Sequence, residues 1–214
     1  MIPKNASEDD QAGNQRLILA SKSPRRRDLL HQAGFVVEID APRINEHEIF
    51  QSFLASGHHA FEATEALAVA KARSTFEKHK NEAGVIIIAA DTIVYLDGQV
   101  FSKPKDDTEA LYMLKSLSGR THQVTTAFAI MSQAGEHSER HTTDVRFNEW
   151  DTFQETVAKR YISLGLAKDK AGAYGIQDFT ALLIRDISGD YNTVVGLPLT
   201  AVSRALAEFG LTLT

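Results

Sequence analysis

Two serines, a proline and three consecutive arginines occupy residues 21–27, directly after the apolar run RLILA. Gripping a nucleotide polyphosphate takes backbone N–H groups, hydroxyls and cations converging on one spot, and a helix N-terminus supplies the first of these. Ser21, Ser23, Arg25 and Arg26 can supply the rest, with guanidinium groups holding phosphate in bidentate fashion. The plainer alternative is a solvated basic first turn of a helix. Cations there oppose the helix dipole, so three in a row cost stability unless an anion lies against them. A second candidate is Asp91, set in VIIIAADTIVYL among residues that are nearly all apolar. A buried carboxylate is expensive unless paired or bound to a cation. It reads either as a metal ligand or general base, or as a structural aspartate at the exposed end of a strand.

Two further segments are weaker taken alone. Lys103 precedes a proline in FSKPKDD and so lies on extended backbone; it also reads as an ordinary surface lysine, as does Lys71 on a helix. In KDKAGAYGIQDF, Gly172 and Gly175 let backbone approach a ligand closely, and the Gln177 amide suits a base edge. The chain has no G-x-x-x-x-G-K-[ST] loop, no G-x-G-x-x-G fingerprint and no H-E-x-x-H pair. It also lacks a G-x-S-x-G elbow. Its eight histidines form no ligand set.

These residues need elements to hold them. The pattern predicts a strand at 16–21, then a helix with Ser23 at the N-cap, Pro24 at its first position and Gly34 just past its end. A second strand follows at 35–41, then mostly loop through 42–58. An Ala-rich helix covers 59–80, with Ala63, Leu67, Ala70 and Ser74 as its packed stripe and Lys71 beside it. Strand 85–96 is the most apolar and reads as central. Asp97-Gly98 signals a hairpin returning through QVFSK. A helix at 106–117, strands at 121–132 and 138–150, and a helix from Asp151 to about Ser163 come next. The end reads as loop, strand 174–185, strand 191–195 and a helix from Pro198 to Phe209. Alternating helices and strands with hairpins between them imply a mixed sheet in an α/β or α+β fold.

The totals agree with a globular protein of 214 residues, 43% hydrophobic and 24% charged. A net charge of −5 argues against a nucleic acid polymer as partner, yet the local basic clusters suit a small anionic ligand. There is no cysteine, which excludes disulfides and thiolate chemistry. The polar start MIPKNASEDDQAGNQ carries no apolar core of the signal-peptide kind. The longest apolar run, Val85 to Ala90, is too short to span a bilayer, so no membrane role and a cytoplasmic location are expected. Residues 1–15 are expected to be a disordered tail and 16–214 a single domain.

Together the segments resemble the Maf family. The resemblance is carried by LASKSPRRRDLL (19–30), AKA (70–72), AADTIVYLDG (89–98), SKPKD (102–106), LSGRTHQVTTA (117–127), DKAGAYGIQ (169–177) and GDYNTVVGLPL (189–199). They come in the family's order from about residue 16 to the end. The resemblance implies an elongated α/β sheet with flanking helices, two lobes around a deep cleft, and a homodimer. It also implies hydrolysis of a nucleoside triphosphate to monophosphate and pyrophosphate with Mg²⁺ or Mn²⁺. Asp91 falls on the family's catalytic aspartate, Arg25 and Arg26 on its phosphate-binding arginines, and Lys71 and Lys103 on its cleft lysines. Glu46 falls on an early glutamate near the metal. Thr92, LSGRTHQV and AGAYGIQ are similar to the dTTP/UTP branch, with Arg25, Thr92 and Gln177 at the positions tied to that choice. Ser102 and Asp178 stand where glycine is usual, and the segment from Glu46 to Lys71 is longer than in compact members. A rival reading is a non-enzymatic nucleotide-binding regulator linked to septum formation.

Overall fold

The computed structural model describes residues 15–212, so the expected disordered tail lies outside the described residues except for Gln15. The Gln15 amide donates to the Phe209 carbonyl at 3.1 Å, which ties the start of the described chain to its end. From there the chain runs β1 (Arg16–Leu19), α1 (Pro24–Gln32), β2 (Val37–Ile39), α2 (Glu46–Ala55), α3 (Ala60–His79) and β3 (Val85–Leu96). It continues with β4 (Gln99–Phe101), α4 (Asp107–Leu117), β5 (Thr121–Ser132), β6 (Gly135–Phe147) and α5 (Thr152–Ser163). Two 3-10 turns, Ala171–Ala173 and Phe179–Leu183, lead into β7 (Ile184–Ser188), α6 (Tyr191–Val195) and α7 (Leu199–Glu208).

The strands form one mixed sheet in the order β2-β1-β3-β5-β6-β7, with β4 also on β3. β1 is parallel to both β2 and β3, and the remaining pairs are antiparallel. The α/β class expected from the sequence therefore holds. On one edge β3 pairs with β5 from Ile86 to Tyr95. On the other it pairs first with β1 at Val85–Ile88 and then with β4 at Val94–Leu96. Residues 89–93 have no strand on that second edge. A pocket lined by Asp91, Thr92 and Ile93 opens there.

Successive side chains of a strand face opposite sides of its sheet. Ile86, Ile88 and Ala90 pack with Leu29 and Leu30 of α1 and Val202, Ala205 and Leu206 of α7. Val85, Ile87 and Ala89 face Ala68 and Ala72 of α3, small residues that let this helix lie close. Beyond the gap, Val94 and Leu96 join a third cluster with Leu114 and Leu117 of α4 and Val157 and Tyr161 of α5. The alternation places Asp91 on the α3 side and Thr92 on the α1 side. Asp97 and Gly98 both have positive φ, 48° and 86°, as the expected two-residue hairpin requires.

Four segments differ from the sequence expectation. Residues 46–55 are helical rather than loop; Asn45 caps them by accepting from the Glu48 N–H. Ile49, Phe50, Phe53 and Leu54 form a short half-buried apolar face at helical spacing, a local signal that the loop reading passed over. Residues 191–195 form a helix, not a strand, because the Asp190 carboxylate accepts from the N–H groups of Asn192 and Thr193. The span 174–185 is mainly turn, closed by the Thr180 hydroxyl, which donates to the Gly175 carbonyl at 2.7 Å and accepts from its N–H at 3.2 Å. On α3, Lys71 belongs to the buried stripe itself, whereas Ala70 and Ser74 are only partly buried.

His122 on β5 is buried, with Nε2 at 2.8 Å from the Tyr174 hydroxyl and Nδ1 without a partner among the described residues. Burial lowers its pKa to about 3 from an ordinary 6.5. Below pH 6.5 the unfolded chain takes up a proton that the folded protein refuses, so stability falls with falling pH, by roughly 1.4 kcal/mol per unit. Wild type should lose about 2 kcal/mol more than His122→Gln between pH 7.5 and pH 5 in urea titrations. Parallel pH profiles for the two proteins would refute this.

Candidate active site

At the gap in β3, the two faces of the sheet deliver two different cations. Lys71 arrives from α3, its side chain only 7% exposed, and donates to Asp91 Oδ1 at 2.7 Å. The same ammonium lies 2.9 Å from Glu46 Oε2 at the start of α2. Asp91 is 14% exposed and Glu46 about half exposed, so the pair is dry at one end and wet at the other. Burial pushes the Glu46 carboxyl up, but Lys71, seconded by Lys103 and Arg26, holds it below the usual range. Glu46 is therefore an anion at neutral pH.

Arg26 arrives from the other face. Nε donates to the Gly196 carbonyl at 2.9 Å, and one terminal nitrogen donates to the Ala90 carbonyl at 2.7 Å and to Ser21 Oγ at 3.3 Å. The other donates to Thr92 Oγ1 at 3.0 Å. Of five guanidinium N–H groups, four are engaged. The bidentate phosphate grip expected of Arg26 is thus unavailable in this geometry; at most one N–H faces a ligand. Burial lowers its pKa, with Asp91 opposing, and a guanidinium remains charged regardless. The Ala90 carbonyl belongs to the unpaired stretch of β3, so Arg26 replaces a missing strand neighbour.

The triple arginine also resolves differently from expectation. Arg25 pairs with Asp169 at 2.7 Å and Arg27 with its neighbour Asp28 at 2.8 Å, so protein carboxylates offset part of the dipole conflict. Ser23 occupies the N-cap position without a side-chain cap, while Ser21 Oγ accepts the Ser23 N–H at 3.1 Å. Thr92 Oγ1 lies 2.9 Å from Thr126 Oγ1 as well as on Arg26, which makes it the anchor of that arginine. Lys103 is exposed beyond β4, on the extended backbone that Pro104 imposes.

The 169–178 segment closes the opposite wall. Gly172 has φ 68° and abuts Val94, where a Cβ would fall 3.0 Å from Cγ2. A Cβ on Gly175 would meet Lys170 Cε at 2.6 Å and Asp178 Oδ2 at 2.7 Å. Both glycines thus permit close packing against the protein's own side chains, not the ligand approach read from the sequence. Lys170 Nζ donates to the Leu166 carbonyl at 2.7 Å and to Asp169 Oδ1 at 2.9 Å, and lies 3.4 Å from Asp178. The Tyr161 hydroxyl donates to Asp178 Oδ2 at 2.6 Å. A continuous polar chain, Tyr161–Asp178–Lys170–Asp169–Arg25, therefore ties the turn carrying exposed Gln177 to the start of α1. Asp169 and Lys170 were not singled out by chemistry, although both fall inside the DKAGAYGIQ stretch.

Ten of the candidate residues, namely Ser21, Ser23, Arg25, Arg26, Glu46, Lys71, Asp91, Thr92, Lys103 and Gln177, line one pocket of about 820 Å³, whereas Gly172 does not. Two hard carboxylates converging on one cation fit a Mg²⁺-type ion, which commonly takes one or two carboxylates and completes its shell with phosphate oxygens and water. Among the described residues no group of three or more His, Cys, Asp or Glu side chains could hold a metal by itself. Any such ion would therefore rest on Asp91, Glu46 and the ligand together.

The family model described as Maf-like protein matches residues 16–209, and the chain belongs to this family. It is 43% identical to the dTTP/UTP pyrophosphatase of Symbiobacterium thermophilum over 196 residues, covering 92% of this chain and 95% of the relative. The dTTP/UTP pyrophosphatase of Bacillus pumilus is 42% identical, with 92% and 97% covered. That of Pyrococcus furiosus is 40% identical, with 92% and 96% covered.

Proposed function

We propose that the protein is a nucleoside triphosphate pyrophosphatase that hydrolyses the α–β phosphoanhydride of dTTP or UTP, and of modified pyrimidine relatives. The observation that carries this reading is the Asp91 carboxylate, poised on Lys71 in a pocket wall otherwise rich in cations. Asp91 orients a water and accepts its proton as the oxygen attacks the α-phosphorus. The bond from that phosphorus to the bridging oxygen breaks, and pyrophosphate leaves with the bonding pair. Such chemistry is mostly positioning and charge stabilisation. Lys71 holds Asp91 aimed into the pocket. Arg25, Lys103 and the Ser21–Ser23 turn face the phosphates, while Arg26 holds Ser21, Thr92 and the Gly196 loop in place. Glu46 and Asp91 would hold Mg²⁺ or Mn²⁺, which supplies Lewis-acid neutralisation of phosphate charge when bound. On the base side, Gln177 offers its amide, Arg25 flanks it through the Asp169 chain, and Thr92 acts through Arg26.

Incubation with dTTP or UTP and Mg²⁺, with products separated by ion exchange, tests the reading. Monophosphate and pyrophosphate are expected; diphosphate and phosphate would mean the wrong bond, and intact triphosphate a binder. Such a binder, the septum-linked regulator, has no need of a carboxylate aligned on a buried ammonium. Lys103→Ala should raise KM and lower kcat, together costing about tenfold or more in kcat/KM. Unchanged kinetics would return Lys103 to the role of a surface lysine.

The same proposal includes a cytoplasmic site of action, where triphosphate pools lie, and a homodimer, which light scattering on the purified protein would read. Among the described residues no helix is long and apolar enough to cross a membrane.

A further inference from the structure

A second pocket of about 470 Å³ opens beside the first, sharing Lys22, Ala41 and Pro42 with it. Asp40, Arg43 and Lys78 complete its lining. Three cations therefore face a single carboxylate, and that carboxylate is already satisfied. Asp40 accepts from Lys78 Nζ at 2.7 Å and lies 3.0 Å from His79 Nε2. The Lys22 and Arg43 side chains have no hydrogen-bond or ion-pair partner among the described residues and are both exposed. The main pocket presents the opposite situation. Arg25 is engaged by Asp169, Arg26 by protein oxygens and Lys71 by two carboxylates. Lys103 and the shared Lys22 are left as cations of that pocket with no partner among the described residues.

Cleavage between the α- and β-phosphates generates pyrophosphate, a compact ion with about three negative charges at neutral pH whose oxygens suit a guanidinium fork and an ammonium. We propose that the side pocket is a pyrophosphate subsite, in which Lys22 and Arg43 hold the β- and γ-phosphates. Its ligand follows from the pyrophosphatase reading above. Lys22 borders both pockets, so one ammonium stays in contact with the ion on either side of the boundary. The diphosphate group can be the tail of bound triphosphate or the freed product, and the two are separable by experiment.

Titration calorimetry with inorganic pyrophosphate and Mg²⁺ tests this on the wild-type protein, Arg43→Ala, Lys22→Ala and the double variant. Each single replacement should weaken pyrophosphate about tenfold, the effect of losing one charge-assisted contact. Arg43→Ala should leave thymidine monophosphate binding unchanged. Lys105→Ala, which removes a cation outside both pockets, should leave pyrophosphate binding unchanged. A parallel titration with an α,β-methylene triphosphate assigns the source. Weakening of both ligands means that the subsite holds the substrate's tail, and weakening of pyrophosphate alone means that it holds the product. Equal pyrophosphate affinity in wild type and the double variant would overturn the proposal. So would an equal loss in Lys105→Ala, which would reduce the effect to net charge. A wild-type protein that binds pyrophosphate through these residues yet cleaves no triphosphate would defeat the activity reading while leaving the subsite standing.

Discussion

Replacing Asp91 by Asn is expected to lower kcat by at least about 100-fold, the usual cost of losing a general base, while the protein stays folded. The substitution keeps size and shape, and its amide oxygen can still accept from Lys71 Nζ, which lies 2.7 Å from Oδ1 in the native pair. Only the negative charge and the basicity are lost. Circular dichroism should therefore match wild type, with only a modest fall in melting temperature because Glu46 still balances Lys71, and a large fall in kcat can be assigned to chemistry. Turnover within a few-fold of wild type would remove Asp91 from the mechanism.

The second large effect is on stability. Lys71 is the cation between the Asp91 and Glu46 carboxylates, and it is nearly buried. Lys71→Met keeps the aliphatic packing against α3's neighbours but leaves two anions facing each other with only the more distant Arg26 and Lys103 to offset them. Removing one partner from a buried pair costs about 3–5 kcal/mol; half-exposed Glu46 can turn toward water, which puts the expected loss near 3 kcal/mol. Adding Asp91→Asn to Lys71→Met should restore at least about half of that loss, because neutralising one carboxylate removes the conflict. Urea denaturation of the four proteins measures this cycle. A Lys71→Met protein as stable as wild type would mean that the ammonium is not what holds the two carboxylates together.

How much of this could be read beforehand depends on the range of each interaction. The long apolar strand 85–96, the Asp97-Gly98 hairpin and the Ala-rich helix announce themselves through local pattern, and all three stand in the fold. Asp91 was visible as a carboxylate out of place among Ile, Val and Ala. Lys71 was named as a site residue only through the family resemblance, and its ion pair with Asp91 was not legible, because Lys71 is an ordinary helix residue until α3 is laid across β3. The partners of Arg26 were equally hidden: the Ala90 and Gly196 carbonyls are 64 and 170 residues away in sequence. A cluster of arginines looked like a phosphate grip, and for Arg26 backbone oxygens of the protein take that place. Helix α6 escaped because the Asp190 cap decides it against β-branched propensity, whereas α2 carried a legible but short stripe of Ile49, Phe50, Phe53 and Leu54 between polar segments. The 174–185 stretch looked extended because its apolar residues are dense, yet Thr180 folds it back on Gly175.

The break along one edge of β3 also sets how ligand preference can change. The other edge is an uninterrupted ladder with β5 from Ile86 to Tyr95, so the spacing between the anion end and the far wall is ruled off by a single rigid span. A longer or bulkier guest cannot be admitted by spreading the strands. It must be met by exchanging side chains in the 40–46 and 169–178 segments, which border the opening without belonging to the ladder. Nucleotide choice can thus drift in these borders while Asp91 keeps its place on the ruler.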